Sequence, residues 1–321
     1  MTTNFESVFP LESSELRPLL DDVAYLRTVM VNLYFVGHVH AKDREWVLID
    51  AGLAGSADRI AQAAEVRFGP GSRPSAIILT HGHFDHVGAL EALSRCWDVP
   101  VYAHTMELPF LTGQSSYPPT DPSVGGGLVA TMSWSYPQGP INLGDRVKPL
   151  PEDGSVPGLP DWRWIFTPGH TAGHVSFFRD ADRTLIAGDA IVTTRQESAL
   201  AVIAQRRELH GPPMYFTPDW ETAGKSVATL ADLEPEIAAT GHGEPLRGES
   251  MRADLHALAR DFRRRAVPHH GRYVDRPAKY DEKGVVSIPP DVPRSQFSFL
   301  RGVDEIAKLT QGLLVRELVK Q

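Results

Sequence analysis

Ser75–Gly88 reads SAIILTHGHFDHVG. Ala76-Ile77-Ile78-Leu79 is a short unbroken apolar run, which suits a buried strand. His81, His83, Asp85 and His86 follow within six residues. Val87, Leu90 and Leu93 then recur at a spacing that predicts a helix. Three imidazoles and a carboxylate therefore occupy a loop at the end of a buried strand. These are ligand types that suit zinc, iron, manganese or nickel. His81 and His83, two apart in an extended loop, can grip one ion, while Asp85 and His86 face a second. The plain alternative is a solvated turn, but such a turn needs no strand aimed into it.

The chain has 321 residues, 42% hydrophobic and 22% charged. That is ordinary globular composition with material for a sizeable core, in one large domain or two. The net charge of −8 argues against a nucleic-acid partner, because phosphate binding needs a basic face. The N-terminal residues show neither a basic segment followed by an apolar core nor a run long enough to span a membrane. The expectation is a cytoplasmic protein with no membrane partner. Cys96 is the single cysteine, so no intrachain disulfide can form; it is expected to be a small buried apolar residue.

Upstream, Tyr25–Val36 (YLRTVMVNLYFV) predicts one long strand or two short ones, and Trp46–Ile49 predicts the returning strand, ending at Asp50. Ser56 is placed to cap a helix that Gly69 would stop. Downstream, Val99–Ala103 is a further strand. Residues 105–160 are rich in proline and glycine, and so long a loop in a compact domain usually covers something. Its aromatics Tyr117, Trp134 and Tyr136 either line a pocket or staple the loop to the body. Strands are then predicted at Trp162–Phe166, His174–Phe178, Thr184–Ala187 and Glu236–Thr240, with a helix at Glu221–Leu233. Five apolar segments thus run into Asp50, His81, His170, Asp189 and His242. Functional groups of layered sheet proteins gather at one end of the strands, where loops meet.

In order and context, five motifs resemble the metallo-β-lactamase-fold hydrolases: LIDAG with Asp50, THGHFDHVG with His81, His83, Asp85 and His86, TPGHTAGH with His170, AGDA with Asp189, and TGHGEP with His242. The resemblance covers roughly residues 25–250. It implies an α/β fold, an αββα four-layer sandwich with the site at the edge between the sheets. Residue by residue, it implies that His81, His83 and His170 bind one metal ion and that Asp85, His86 and His242 bind a second. Asp189 would bridge the two. Asp50 would orient a ligand histidine from behind, and His174 would be structural. A bridging Asp189 is expected in glyoxalase II-like, lactonase-like and phosphodiesterase-like branches, and not in true β-lactamases.

The chemistry so implied is metal-dependent hydrolysis. Two divalent ions, zinc first with iron or manganese as alternatives, would share a hydroxide that attacks a small ester, lactone or thioester. Asp85 would accept the proton released, so Asp85 and Asp189 are the catalytic candidates. The competing reading is a mononuclear iron persulfide dioxygenase of the same fold. The partner is a small-molecule substrate. After Asp189 the chain reads AIVTTRQESALAV, which lacks the Gly- and Cys-containing segment of close glyoxalase II relatives and the tyrosine of many lactonases. The expected organisation is a catalytic domain over 1–250 and a C-terminal extension over 251–321. Helices are expected at 248–266 and 303–319, with irregular chain between them. The extension could pack on the sandwich, shape the pocket edge or form a homodimer contact.

Overall fold

Val47, Leu48 and Ile49 are all buried, yet they serve two different cores. Successive strand residues point to opposite faces of a sheet. Leu48 joins the apolar cluster of Ile60, Leu90 and Leu93, which lie on helices. Val47 and Ile49 join Trp162, Phe177 and Ile186, which lie on another sheet. Ile77 and its neighbours Ala76 and Ile78 divide in the same way. A strand apolar on both faces must be covered on both faces, and that requirement produces the layering.

The computed structural model describes residues 16–291. Its first sheet has seven strands: β1 (Arg17–Leu20), β2 (Val23–Thr28), β3 (Val31–Val36), β4 (Val47–Ile49), β5 (Ala76–Ile78), β6 (Val101–Ala103) and β7 (Val147–Pro149). They lie side by side in chain order, antiparallel up to β4 and parallel from β4 onward. The second sheet has six: β8 (Ser155–Val156), β9 (Leu159–Phe166), β10 (Val175–Arg179), β11 (Thr184–Ile186), β12 (Ile237–Ala239) and β13 (Leu246–Arg247). Its β11–β12 pair is parallel and its other pairs are antiparallel.

The helices are α1 (Ala57–Phe68), α2 (Phe84–Val87), α3 (Leu90–Trp97), α4 (Leu108–Leu111), α5 (Leu128–Met132), α6 (Ala199–Ala204), α7 (Trp220–Asp232), α8 (Gly248–Arg260) and α9 (Phe262–Arg265). Helices α1 and α3 cover the outer face of the first sheet, where Trp46 stacks on Phe68 and meets Trp97 edge-on. Helices α7 and α8 cover the outer face of the second sheet through Val227, Leu230, Leu255 and Leu258. Three apolar clusters thus separate four layers, the αββα sandwich that the resemblance implied. Among the described residues, no helix is long and apolar enough to cross a membrane.

Tyr25–Val36 takes the second of its two expected forms, two short strands, because Val29 turns the chain with φ 58°. Several other local expectations are corrected. Ser56 does not cap α1 through its side chain; its hydroxyl donates to Leu53 O at 2.5 Å instead. The helix after the histidine loop is two pieces, broken around Gly88, where the backbone passes so close to Leu53 and Ala54 that a Cβ would collide. Cys96 is exposed, because α3 turns Leu90, Leu93 and Trp97 inward and leaves Cys96 on the solvent side. The predicted 248–266 helix breaks at Asp261, between α8 and α9. Lys279–Asp281 (β14) and Gly284–Ser287 (β15) form a hairpin where irregular chain is expected. The helix expected at 303–319 lies outside the described residues.

Candidate metal centre

Strands of both sheets deliver the site from one edge. Asp50 follows β4, His81 follows β5, His170 follows β9, Asp189 follows β11 and His242 follows β12. His83, Asp85 and His86 come from the turn into α2 and from α2 itself. Among the described residues, three groups bring their ligand atoms within 4.8 Å of one another: His81, His83 and His170; His81, His86 and Asp189; and Asp85, His86 and His242. All seven are buried.

The outer ring nitrogens fix the tautomers, since a ring nitrogen that donates outward leaves the other as a lone pair. His86 Nδ1 donates to Asp50 Oδ2 at 2.8 Å. His242 Nδ1 donates to the Met30 carbonyl at 2.9 Å. Thr80 spends its hydroxyl proton on Asp50 Oδ2 at 2.8 Å, so it accepts from His81 Nδ1 at 3.0 Å. Thr217 likewise gives its proton to Pro213 O and faces His170 Nδ1 at 3.4 Å. The inner nitrogens of these four rings are therefore left as acceptors. His83 Nδ1 lies 3.1 Å from His81 Nε2 and 3.0 Å from His170 Nε2.

Asp189 stands between the groups. Its Oδ2 is 3.1 Å from His242 Nε2 and 3.5 Å from His170 Nε2, and its Oδ1 is 3.5 Å from His86 Nε2. Asp85 Oδ2 is 3.4 Å from His242 Nε2. His86 Nε2 and Asp189 Oδ1 are buried without a hydrogen-bond partner. Lone pairs packed against one another and orphaned inside a protein are costly unless a cation lies among them. The residues present thus fit divalent metal ions.

The electrostatics divide the imidazoles. Burial, reinforced by repulsion between the rings, holds His81 and His170 well below the ordinary histidine value. Burial takes His83 down to about 4, against the pull of Asp85 and Asp189. Burial also lowers His86, but Asp50, Asp189 and Asp85 outweigh it and hold that ring well above the ordinary value. Asp189 and Asp85 raise His242 to about 10 in spite of burial. Burial works against the charge of Asp85 and Asp189, yet the adjacent His86 and His242 keep both below the usual carboxylate range. Neutral imidazole and ionised carboxylate are the ligand forms, and a bound cation would draw the two raised rings to that form as well.

Several residues here are not among the site residues expected from the sequence. Asn32 sits inside apolar β3 and donates to the carbonyls of Thr240 and Gly243, pinning the turn that carries His242. A buried polar residue within a strand was the available clue. Gln196 lies 3.0 Å from His242 Nδ1. Phe216 stacks on the His83 ring with centroids 4.4 Å apart. Glu107 had no pattern to mark it.

The proline- and glycine-rich insertion does both things expected of its aromatics. Tyr117 lines a narrow pocket beside His83 and His170, together with Phe216 and Tyr273. Tyr136 is buried against Phe84, Tyr215 and Phe216 and holds the insertion down. Trp134 does neither, being 71% exposed. His210 pairs with Val192 through the backbone and lines a separate cleft.

The sequence profile described as "Metallo-beta-lactamase superfamily" matches residues 26–242. Over 234 residues the chain is 52% identical to "Probable metallo-hydrolase YflN" of Bacillus subtilis (strain 168), covering 73% of this chain and 88% of that one. It is 29% identical over 199 residues to "Probable metallo-hydrolase YybB" of the same organism, covering 62% and 76%. The fold is similar to that of a metallo-beta-lactamase family protein from Thermus thermophilus, with a TM-score of 0.50, 22% identity and coverage of 77% and 81%. From β2 through the loop that carries His242 the match is continuous, and the chain belongs to the metallo-β-lactamase superfamily of metallo-hydrolases.

Proposed function

We propose that this protein hydrolyses a small ester, lactone or thioester with two divalent metal ions, zinc first among the candidates. In this reading His81, His83 and His170 hold one ion, Asp85, His86 and His242 hold the other, and Asp189 bridges them. The supporting observation is the place of Asp189: one carboxylate lies within 3.5 Å of His86, His170 and His242 together. Such a pair of ions supplies Lewis acidity and acidifies water from a pKa of about 15.7 towards 7.

The chain's own residues do the rest. Asp85, kept ionised by His86 and His242, takes the proton released as water adds to the carbonyl carbon, and later returns it to the leaving oxygen or sulfur. Its Oδ2 faces His242 Nε2, which leaves Oδ1 for that proton. Asp50 keeps the His86 lone pair aimed inward. Tyr117, Phe216 and Tyr273, with Pro118, Pro119 and Pro218, wall the pocket beside His83 and His170. None of these six side chains is charged, which supports an uncharged substrate group beside His83 and His170.

The test is a hydrolysis panel on zinc-loaded enzyme: lactones, aryl esters, a glutathione thioester and a phosphodiester. Turnover of one carboxylic class, abolished by a chelator and by Asp189→Ala, is expected. Turnover of the phosphodiester alone would refute the carboxylic assignment.

A further inference from the structure

Glu107 is 1% exposed and lies at the start of the insertion, between the two loops that bring His81, His83 and His170 together. Its Oε2 accepts the backbone N–H of Gly82 at 2.9 Å and the hydroxyl of Tyr117. Its Oε1 accepts the hydroxyl of Thr171 at 2.6 Å and the backbone N–H of Gly173 at 2.8 Å. Gly82 separates His81 from His83, and Thr171 follows His170. The first loop leaves β5 of one sheet, and the second joins β9 to β10 of the other. A single carboxylate therefore ties together, across the two sheets, the chain segments that carry these three histidines.

The fit is specific to a charged carboxylate. Each oxygen receives one backbone N–H and one hydroxyl, which fills the four acceptor sites of an ionised carboxyl group. An amide in the same place would turn its NH₂ towards a backbone N–H whichever way it was oriented, and a backbone donor cannot be reversed. The approach is also close. A Cβ on Gly173 would lie 2.7 Å from Glu107 N and 2.9 Å from Glu107 Oε1, and one on Gly82 would lie 2.5 Å from the Tyr117 hydroxyl. The second group of ligands is supported elsewhere, by Asp50 behind His86 and by Met30 O behind His242.

We propose that Glu107 is a positioning residue that fixes His81 and His83 against His170 and thereby controls one metal site of the pair selectively. This rests on the reading in which those three histidines share one ion. Its four hydrogen bonds go to Gly82, Tyr117, Thr171 and Gly173, none of them a residue of the second triad, so its loss disturbs the first site more than the second.

The experiment is Co²⁺ titration of the full chain, followed by absorption spectroscopy and elemental analysis, on wild type, Glu107→Gln, Tyr117→Phe and His83→Ala. Glu107→Gln is expected to weaken one Co²⁺ by about 10–100-fold, the range typical of lost support behind a ligand, and to weaken the other less. Tyr117→Phe removes one of the four donors without placing an amide in the site, and is expected to weaken the same ion severalfold. It keeps the test decisive if Glu107→Gln fails to fold. Two Co²⁺ ions of unchanged affinity in a folded Glu107→Gln or Tyr117→Phe, with one ion lost in His83→Ala, would overturn the proposal and leave the metal assignment standing. Equal weakening of both ions would also overturn it, since general destabilisation gives that result. A wild type that binds fewer than two ions would refute the metal assignment and the proposal with it.

Discussion

The backbone N–H of Asp189 donates to His174 Nε2 at 2.9 Å. His174 Nδ1, 2.8 Å from Thr167 Oγ1, must then carry the ring proton. The second histidine of TPGHTAGH is thereby locked neutral beneath the turn that presents Asp189, and has no lone pair left for an ion.

Burial pushes His174 down to about 3 from its ordinary 6.5. Between those values the unfolded chain binds more protons than the native one. The contribution to stability is therefore complete above pH 6.5 and is lost as the pH falls towards 3. Urea unfolding of the metal-free protein at pH 7, 5.5 and 4 should show wild type losing stability more steeply than His174→Gln, by up to about 1.4 kcal/mol per pH unit. Parallel pH profiles would show that His174 does not titrate in this way.

Asp50 supports His86 in the manner of a carboxylate behind a metal-bound histidine. It also accepts the Thr80 N–H at 2.8 Å and adopts φ 63°. Asparagine tolerates that backbone conformation, so Asp50→Asn changes the charge with little strain. The second ion is expected to bind about 10–100-fold more weakly, measured by competition with a coloured chelator, and the first, whose His81 leans on Asp50 only through Thr80, is expected to weaken less. Unchanged affinity for both ions would rule out this role.

Gly241 is fixed by close approach. A Cβ there would collide with Asp189 Oδ1 and lie 2.8 Å from His86 Cε1. Gly241→Ala should therefore displace the carboxylate between the two triads. Lower metal content and lost turnover with an unchanged far-ultraviolet circular dichroism spectrum are expected. Full metal occupancy with normal turnover would contradict the geometry.

The sequence made the strand ends legible because apolar runs that stop at His or Asp combine two signals, burial and chemistry. Asp50, His81, His170, Asp189 and His242 all carry both. The supports were harder to see, because their meaning lies in contacts between distant segments. Asn32 and Thr240 are joined across the fold, and Glu107 reaches loops on both sides of it in sequence. Cys96 was misplaced because composition predicts burial while helix phase decides it. The β14–β15 hairpin was missed because the proline-rich chain around it gives no strand period.

The most direct measurement is elemental analysis of protein purified without chelator or added metal, together with its Asp189→Ala variant. Two divalent ions per wild-type chain, and fewer in the variant, are predicted for a carboxylate that joins two metal triads. One iron per chain in both proteins, with no hydrolysis of any ester, lactone or thioester, would contradict the dinuclear hydrolase.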